Sequence, residues 1–183
     1  MSKQGEKKDK TNILSLEDIK QKHEEKFKMA EAYVELDGEM LSYKMYEHFP
    51  QSVKDEYHQE LLDFMIGLST DDEKYEGLES ATTIFTLILV VDKFTDLGLP
   101  EEPREKVMYA NYLADFGILS TILNTFEEEE VSELMGEANE IIKSQTERMA
   151  NALEEYMSES GDIEDLSSLR LVEEELKNAE SEE

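Results

Sequence analysis

The feature that most constrains this chain is the run Ile84, Phe85, Thr86, Leu87, Ile88, Leu89, Val90 and Val91, closed by Asp92 and Lys93. It sits in a chain of 183 residues with 46 acidic and only 18 basic side chains, a net charge of −28. A segment so free of charge predicts the core. It is about half of the roughly 20 residues that a membrane-spanning helix needs, so it reads as a core helix opened by Ser80 and buried on most sides. Two more apolar blocks follow, residues 107–116 and 118–126, parted by Gly117. The interior is therefore expected within residues 80–126.

Length predicts one domain with an appended tail. The hydrophobic fraction of 39% suffices for a core because those residues are concentrated. Excess negative charge favours solubility and opposes compaction. It argues against direct nucleic-acid binding, which needs Lys and Arg on phosphates, and against anionic membrane surfaces; a basic partner is compatible with it, but high solubility in the cytosol is the reading preferred. The chain has no cysteine, which removes disulfides, thiolate zinc sites and cysteine nucleophiles and suits a reducing compartment. Residues 1–12 carry Lys3, Lys7, Lys8 and Lys10 among polar neighbours. They read as a disordered basic arm, with no apolar stretch of the kind a signal peptide has.

The domain is expected over residues 13–157. Ser15 with Asp18 marks the start of a short helix. Residues 30–46 read as a β-hairpin. Ala30, Ala32, Val34 and Leu36 alternate with polar residues or Tyr33; Leu41, Tyr43 and Met45 alternate with Ser42 and Lys44. Asp37 and Gly38 between them suit a type I′ turn. A lone hairpin is marginal in water and must pack on helices or pair with another subunit. Ser52 is expected to cap the next helix, whose inner face is Val53, Tyr57, Leu61, Phe64, Met65 and Leu68. Residues 70–77 form a charged loop. Pro103 starts a helix with inner positions Val107, Met108, Tyr112, Leu113 and Phe116.

After Thr125 a long helix begins, its first turn carrying Glu127, Glu128, Glu129 and Glu130 where the helix dipole favours negative charge. Val131, Leu134, Met135, Ala138, Ile141, Ile142, Gln145, Met149, Ala152, Leu153 and Tyr156 recur at steps of three and four. That narrow stripe suits a helix lying along the core or along a helix of another chain. Gly161 and Asp162 break it. Residues 158–183 form an acidic tail with ten acidic residues against Arg170 and Lys177, with one more short helix over 166–176.

Catalytic and metal patterns are absent from the sequence. His23, His48 and His58 lack the spacing of a helical metal pair and read as surface or partly packed residues. Asp71, Asp72 and Glu73 begin like a calcium loop, but the glycine and the closing glutamate fall at the wrong offsets. Asp92 and Asp96 stand four apart, yet with Lys93 they read as the point where the central helix emerges into solvent. The methionines, among them Met65, Met108, Met135, Met149 and Met157, read mostly as core; an exposed subset would suit binding many similar helices. No enzyme, cofactor or metal site is expected.

Lys93, Phe94, Thr95, Asp96 and Leu97, then Leu113, Ala114, Asp115, Phe116 and Gly117, then Ile122 and Leu123 resemble the tail assembly chaperones of long-tailed bacteriophages of Gram-positive hosts. The likeness covers roughly residues 28–157. It implies an α+β, mainly helical fold with one N-terminal β-hairpin. It also implies a non-virion assembly factor of the host cytoplasm that binds and solubilises the tape measure protein until tail tube protein polymerises around it. Members of that family are often made in two lengths by ribosomal frameshifting, so the acidic tail would be replaced or extended. The surface expected to meet a partner is Leu134, Met135, Ile141, Ile142, Met149, Leu153 and Tyr156, with the hairpin edge as a site of self-association. The alternative is an acidic DNA mimic that inhibits a host DNA-binding enzyme. It needs carboxylates at phosphate-like spacing on a folded surface.

Overall fold

A computed structural model describes residues 14–70 and 72–160. The expected arm over 1–12, Asp71, the break at Gly161 and Asp162, and the helix over 166–176 lie outside them. The fold is α+β and mostly helical, in the order α1 (Leu16–Lys26), β1 (Met29–Leu36), β2 (Glu39–Tyr46), α2 (Gln51–Gly67), α3 (Thr82–Phe94), α4 (Pro103–Asp115), α5 (Ile118–Leu123) and α6 (Glu128–Ser160). A single 3-10 turn, Glu79–Ala81, leads into α3.

The hairpin forms as its sequence dictates. Asp37 and Gly38 hold φ of 53° and 84°, the two positive values that a type I′ turn requires. Antiparallel pairing runs from Leu36 opposite Glu39 to Met29 opposite Tyr46. Ala32, Val34, Tyr43 and Met45 face the core, and β1 packs on α5. Leu41, expected on the inner side, is exposed at the turn end. The chain leaving α3 covers part of the edge of β2: the Lys44 N–H donates to Asp96 Oδ1 at 2.7 Å, and the Asp96 N–H donates to the Lys44 carbonyl at 3.0 Å.

The centre is α3. Phe85, Ile88, Leu89, Val90, Val91 and Phe94 are all buried, and the helix meets α2, α4 and α5. Full burial of each such side chain contributes about 1.5–3 kcal/mol, and α3 supplies more of the buried apolar residues than any other element. Rings lock its two ends. Phe85 stacks on Phe64 of α2 with centroids 3.8 Å apart, and Phe94 stacks on Phe49 at 3.8 Å. Phe126 closes edge-on to Phe49 at 5.2 Å. The inner face of α2 is as expected, with Tyr57, Leu61, Phe64 and Met65 buried and Val53 and Leu68 packed against them.

Two expectations are corrected. The helix α2 begins at Gln51 behind Pro50, whose carbonyl accepts from the Val53 and Lys54 N–H groups; Ser52 lies inside the helix and is not its cap. The face of α4 is also different. Lys106 and Ala110 are buried and Val107 and Leu113 half-buried, whereas Met108, Tyr112 and Phe116 point to solvent. Ala110 permits close approach to α3, and Lys106 enters the interior because carboxylates receive it. Gly117, at φ 70°, turns the chain from α4 into α5.

Candidate partner-binding surface

The long helix α6 has 33 residues, or about 50 Å at 1.5 Å per residue. Glu128, Glu129 and Glu130 occupy its first turn, where they complement the helix dipole. Its first half is fastened to α2. Leu134 and Ala138 are fully buried, with Val131, Met135, Ile141 and Ile142 packed beside them. Along the seam a basic row faces an acidic one. Lys54 Nζ lies 2.8 Å from Glu133 and 3.8 Å from Glu130. His48 Nδ1 is 3.4 Å from Glu130, and His58 Nε2 is 3.1 Å from Glu137. Burial disfavours the charge on Lys54, but its hydrogen bond to Glu133 and the other nearby glutamates outweigh this and raise its pKa above 10.5. The same bond lowers the pKa of Glu133. Burial, with Glu137 nearby, pushes the Tyr57 hydroxyl upward.

Beyond Gln145 the apolar stripe continues along a stretch where most side chains are exposed. Met135, Ala138, Ile142, Gln145, Met149, Ala152 and Tyr156 follow alternating steps of three and four, the repeat of a coiled-coil seam. Leu153 flanks it. Met149 is 38% exposed, Leu153 59% and Tyr156 71%. The expected contact residues therefore divide. Leu134 belongs to the core and offers nothing to a partner. Met135, Ile141 and Ile142 mark the boundary. Met149, Leu153 and Tyr156 form an open surface. The methionines divide in the same way, with Met65 buried, Met135 and Met157 half-buried, and Met108 and Met149 exposed.

A second feature escaped sequence reasoning. Glu60 of α2, Asp92 and Lys93 of α3 and Lys106 of α4 close a ring of ion pairs beside a cleft of about 600 Å³. Lys106 contacts Glu60 and lies 2.8 Å from Asp92. Lys93 lies 2.6 Å from Glu60 and 3.1 Å from Asp92. The Lys106 side chain is 3% exposed and that of Asp92 11%. Burial opposes the charge on Lys93, but its hydrogen bonds to both carboxylates prevail and raise its pKa. Asp92 and Asp96 thus have separate tasks, one binding α3 to α4 and the other holding the hairpin. Asp92 and Lys93 are interior partners rather than the point where the helix emerges into solvent. The four charges balance, so the ring leaves no net charge to draw a ligand. The charges come from three helices, and nothing in their sequence spacing announces the ring.

Among the described residues no helix is long and apolar enough to cross a membrane, and no group of three or more His, Asp or Glu side chains is placed to hold a metal ion. The molecule is thus a charge-dense, mostly helical α+β protein with a long helix whose seam outruns its own body. The model of the family described as YomO matches residues 16–180, and the chain belongs to that family. No curated protein and no solved structure matches it.

Proposed function

We propose that this protein is a non-enzymatic tail assembly chaperone of a long-tailed phage, acting in the host cytoplasm. It binds the helical tape measure protein and keeps it soluble while tail tube protein assembles. The observation that carries the reading is the open seam of α6, with Met149, Leu153 and Tyr156 continuing the stripe that α2 covers further back. A partner helix with its own apolar stripe would extend that packing without disturbing the body. Flexible methionine at Met149 suits a series of similar but unequal helices. A long apolar-striped protein alone would aggregate, and a coat of chains each carrying −28 would keep it apart from its like.

The resemblance over residues 28–157 supports the same reading. DNA mimicry draws less support, because Glu130 and Glu133 on α6 are paired with Lys54 of the same chain. The test is co-expression with a tape measure protein. The wild-type chain is expected to hold it in the soluble fraction. M149E/L153E, altered only where the helix is exposed, is expected to fold normally and to lose most of that effect. Equal solubility with both would reject the surface, and no solubilisation by the wild type would reject the function.

A further inference from the structure

The first helix is formed by local signals and buries none of its residues. Ser15 and Asp18 make a complete capping box at its start, yet every residue of Leu16–Lys26 is exposed, Leu16 at 84% and Ile19 at 46%. An isolated helix shorter than about 12–15 residues is marginal in water, and α1 has 11. Its residues are sorted by face. At about 100° per residue, Leu16, Ile19, His23 and Phe27 share one side, bordered by Lys20 on one flank and Lys22 and Lys26 on the other. Glu17, Asp18, Gln21, Glu24 and Glu25 take the opposite side. The helix therefore carries an apolar spine edged with positive charge.

The rest of the chain offers its complement. On α4 the outward residues Met108, Tyr112 and Phe116 follow at steps of four and are 40%, 50% and 62% exposed. Tyr109 lies against Tyr112, with ring centroids 5.9 Å apart. Glu105 and Asp115 share that outward side and are exposed. The neighbouring cation, Arg104, is already engaged, donating to the carbonyls of Glu73 and Glu76. An apolar strip edged with carboxylates meets an apolar strip edged with lysines.

We propose that α1 of one copy docks on the outer face of α4 of a second copy, linking chains head to tail. Charge selects this occupant. Residues 1–28 hold eight basic and six acidic residues, whereas residues 29–183 hold ten basic and forty acidic ones. An anionic membrane would attract the lysine-edged side of α1 but repel the body behind it; a second copy presents carboxylates where that side presents lysines. Donor and acceptor are different surfaces, so the contact is heterologous and does not close at a dimer unless a ring forms. This inference stands apart from the tape measure reading and uses none of its residues.

Sedimentation equilibrium of the full chain over a wide concentration range tests it. The wild type is expected to gain mass beyond a dimer as concentration rises. L16D/I19D, altered in the donor, and Y112E/F116E, altered in the acceptor, are each expected to stay monomeric with unchanged circular dichroism. An equimolar mixture of the two is expected to associate again but to stop at a pair. K20E/K22E/K26E is expected to move the association midpoint up by about tenfold or more. The proposal is overturned if the wild type is monomeric throughout, if association survives both double variants, or if it forms a closed dimer that the mixture cannot restore. A wild type that is monomeric alone but floats with phosphatidylserine vesicles would overturn it in favour of a membrane.

Discussion

Lys106 is the residue on which the interior is most exposed to error. Its ammonium is held between Glu60 and Asp92 with almost no access to water. Removing one partner of a buried pair leaves the others uncompensated and costs about 3 kcal/mol or more. Lys106→Ala is therefore expected to lower stability by about that amount, seen as a lower urea midpoint. Lys93 would hold the two carboxylates alone. Alkali attacks at the same scale. Lys54 and Lys93 bind their protons more tightly folded than unfolded, so their contribution is complete below the ordinary 10.5 and is lost as pH rises through their folded values. Tyr57 acts in the same direction, because its buried phenol resists ionising while the unfolded chain gives up that proton near its ordinary 10.0. Stability is expected to fall steeply above about pH 10. Tyr57→Phe should change it by less than about 1 kcal/mol at neutral pH and move the fall to higher pH, as denaturation at a series of pH values would record.

At the scale of elements, local signals were legible and long-range ones were not. Asp37 and Gly38 announced the hairpin because a type I′ turn has few other solutions. Gly38→Ala, forcing a side chain onto φ 84°, is expected to cost about 1 kcal/mol in thermal or urea unfolding. The start of α1 was signalled by Ser15 and Asp18, which form the capping box there. The orientation of α4 was not, because periodicity favours the largest apolar residues, and here Ala110 and Lys106 go inward while Tyr112 and Phe116 stay out. The stripe on α6 was legible as a stripe, but not where α2 stops covering it. That boundary near Gln145 has a dynamic consequence. Most side chains beyond it are exposed, and the amides there are expected to exchange with deuterium faster than those around Leu134 and Ala138, a difference that a bound helix would erase.

At the scale of the whole molecule, most charge stays outside, and the charge that enters, at Lys54 and Lys106, is paired with carboxylates. The apolar residues gather round α3, and the negative charge lies outside, partly neutralised where α2 meets α6. Among the described residues, apolar surface remains uncovered on the lysine-edged side of α1, the outer face of α4 and the seam of α6. Composition pointed to a non-catalytic role, but only the fold separates the seam that is already filled from the seam that is open. The measurement that tests the central claim most directly is affinity capture of the tagged full-length chain during phage growth, with its partners identified by mass spectrometry. The account predicts that the wild type brings down the tape measure protein and that M149E/L153E does not. Capture of a basic host DNA-binding protein in its place, by both forms alike, would contradict it.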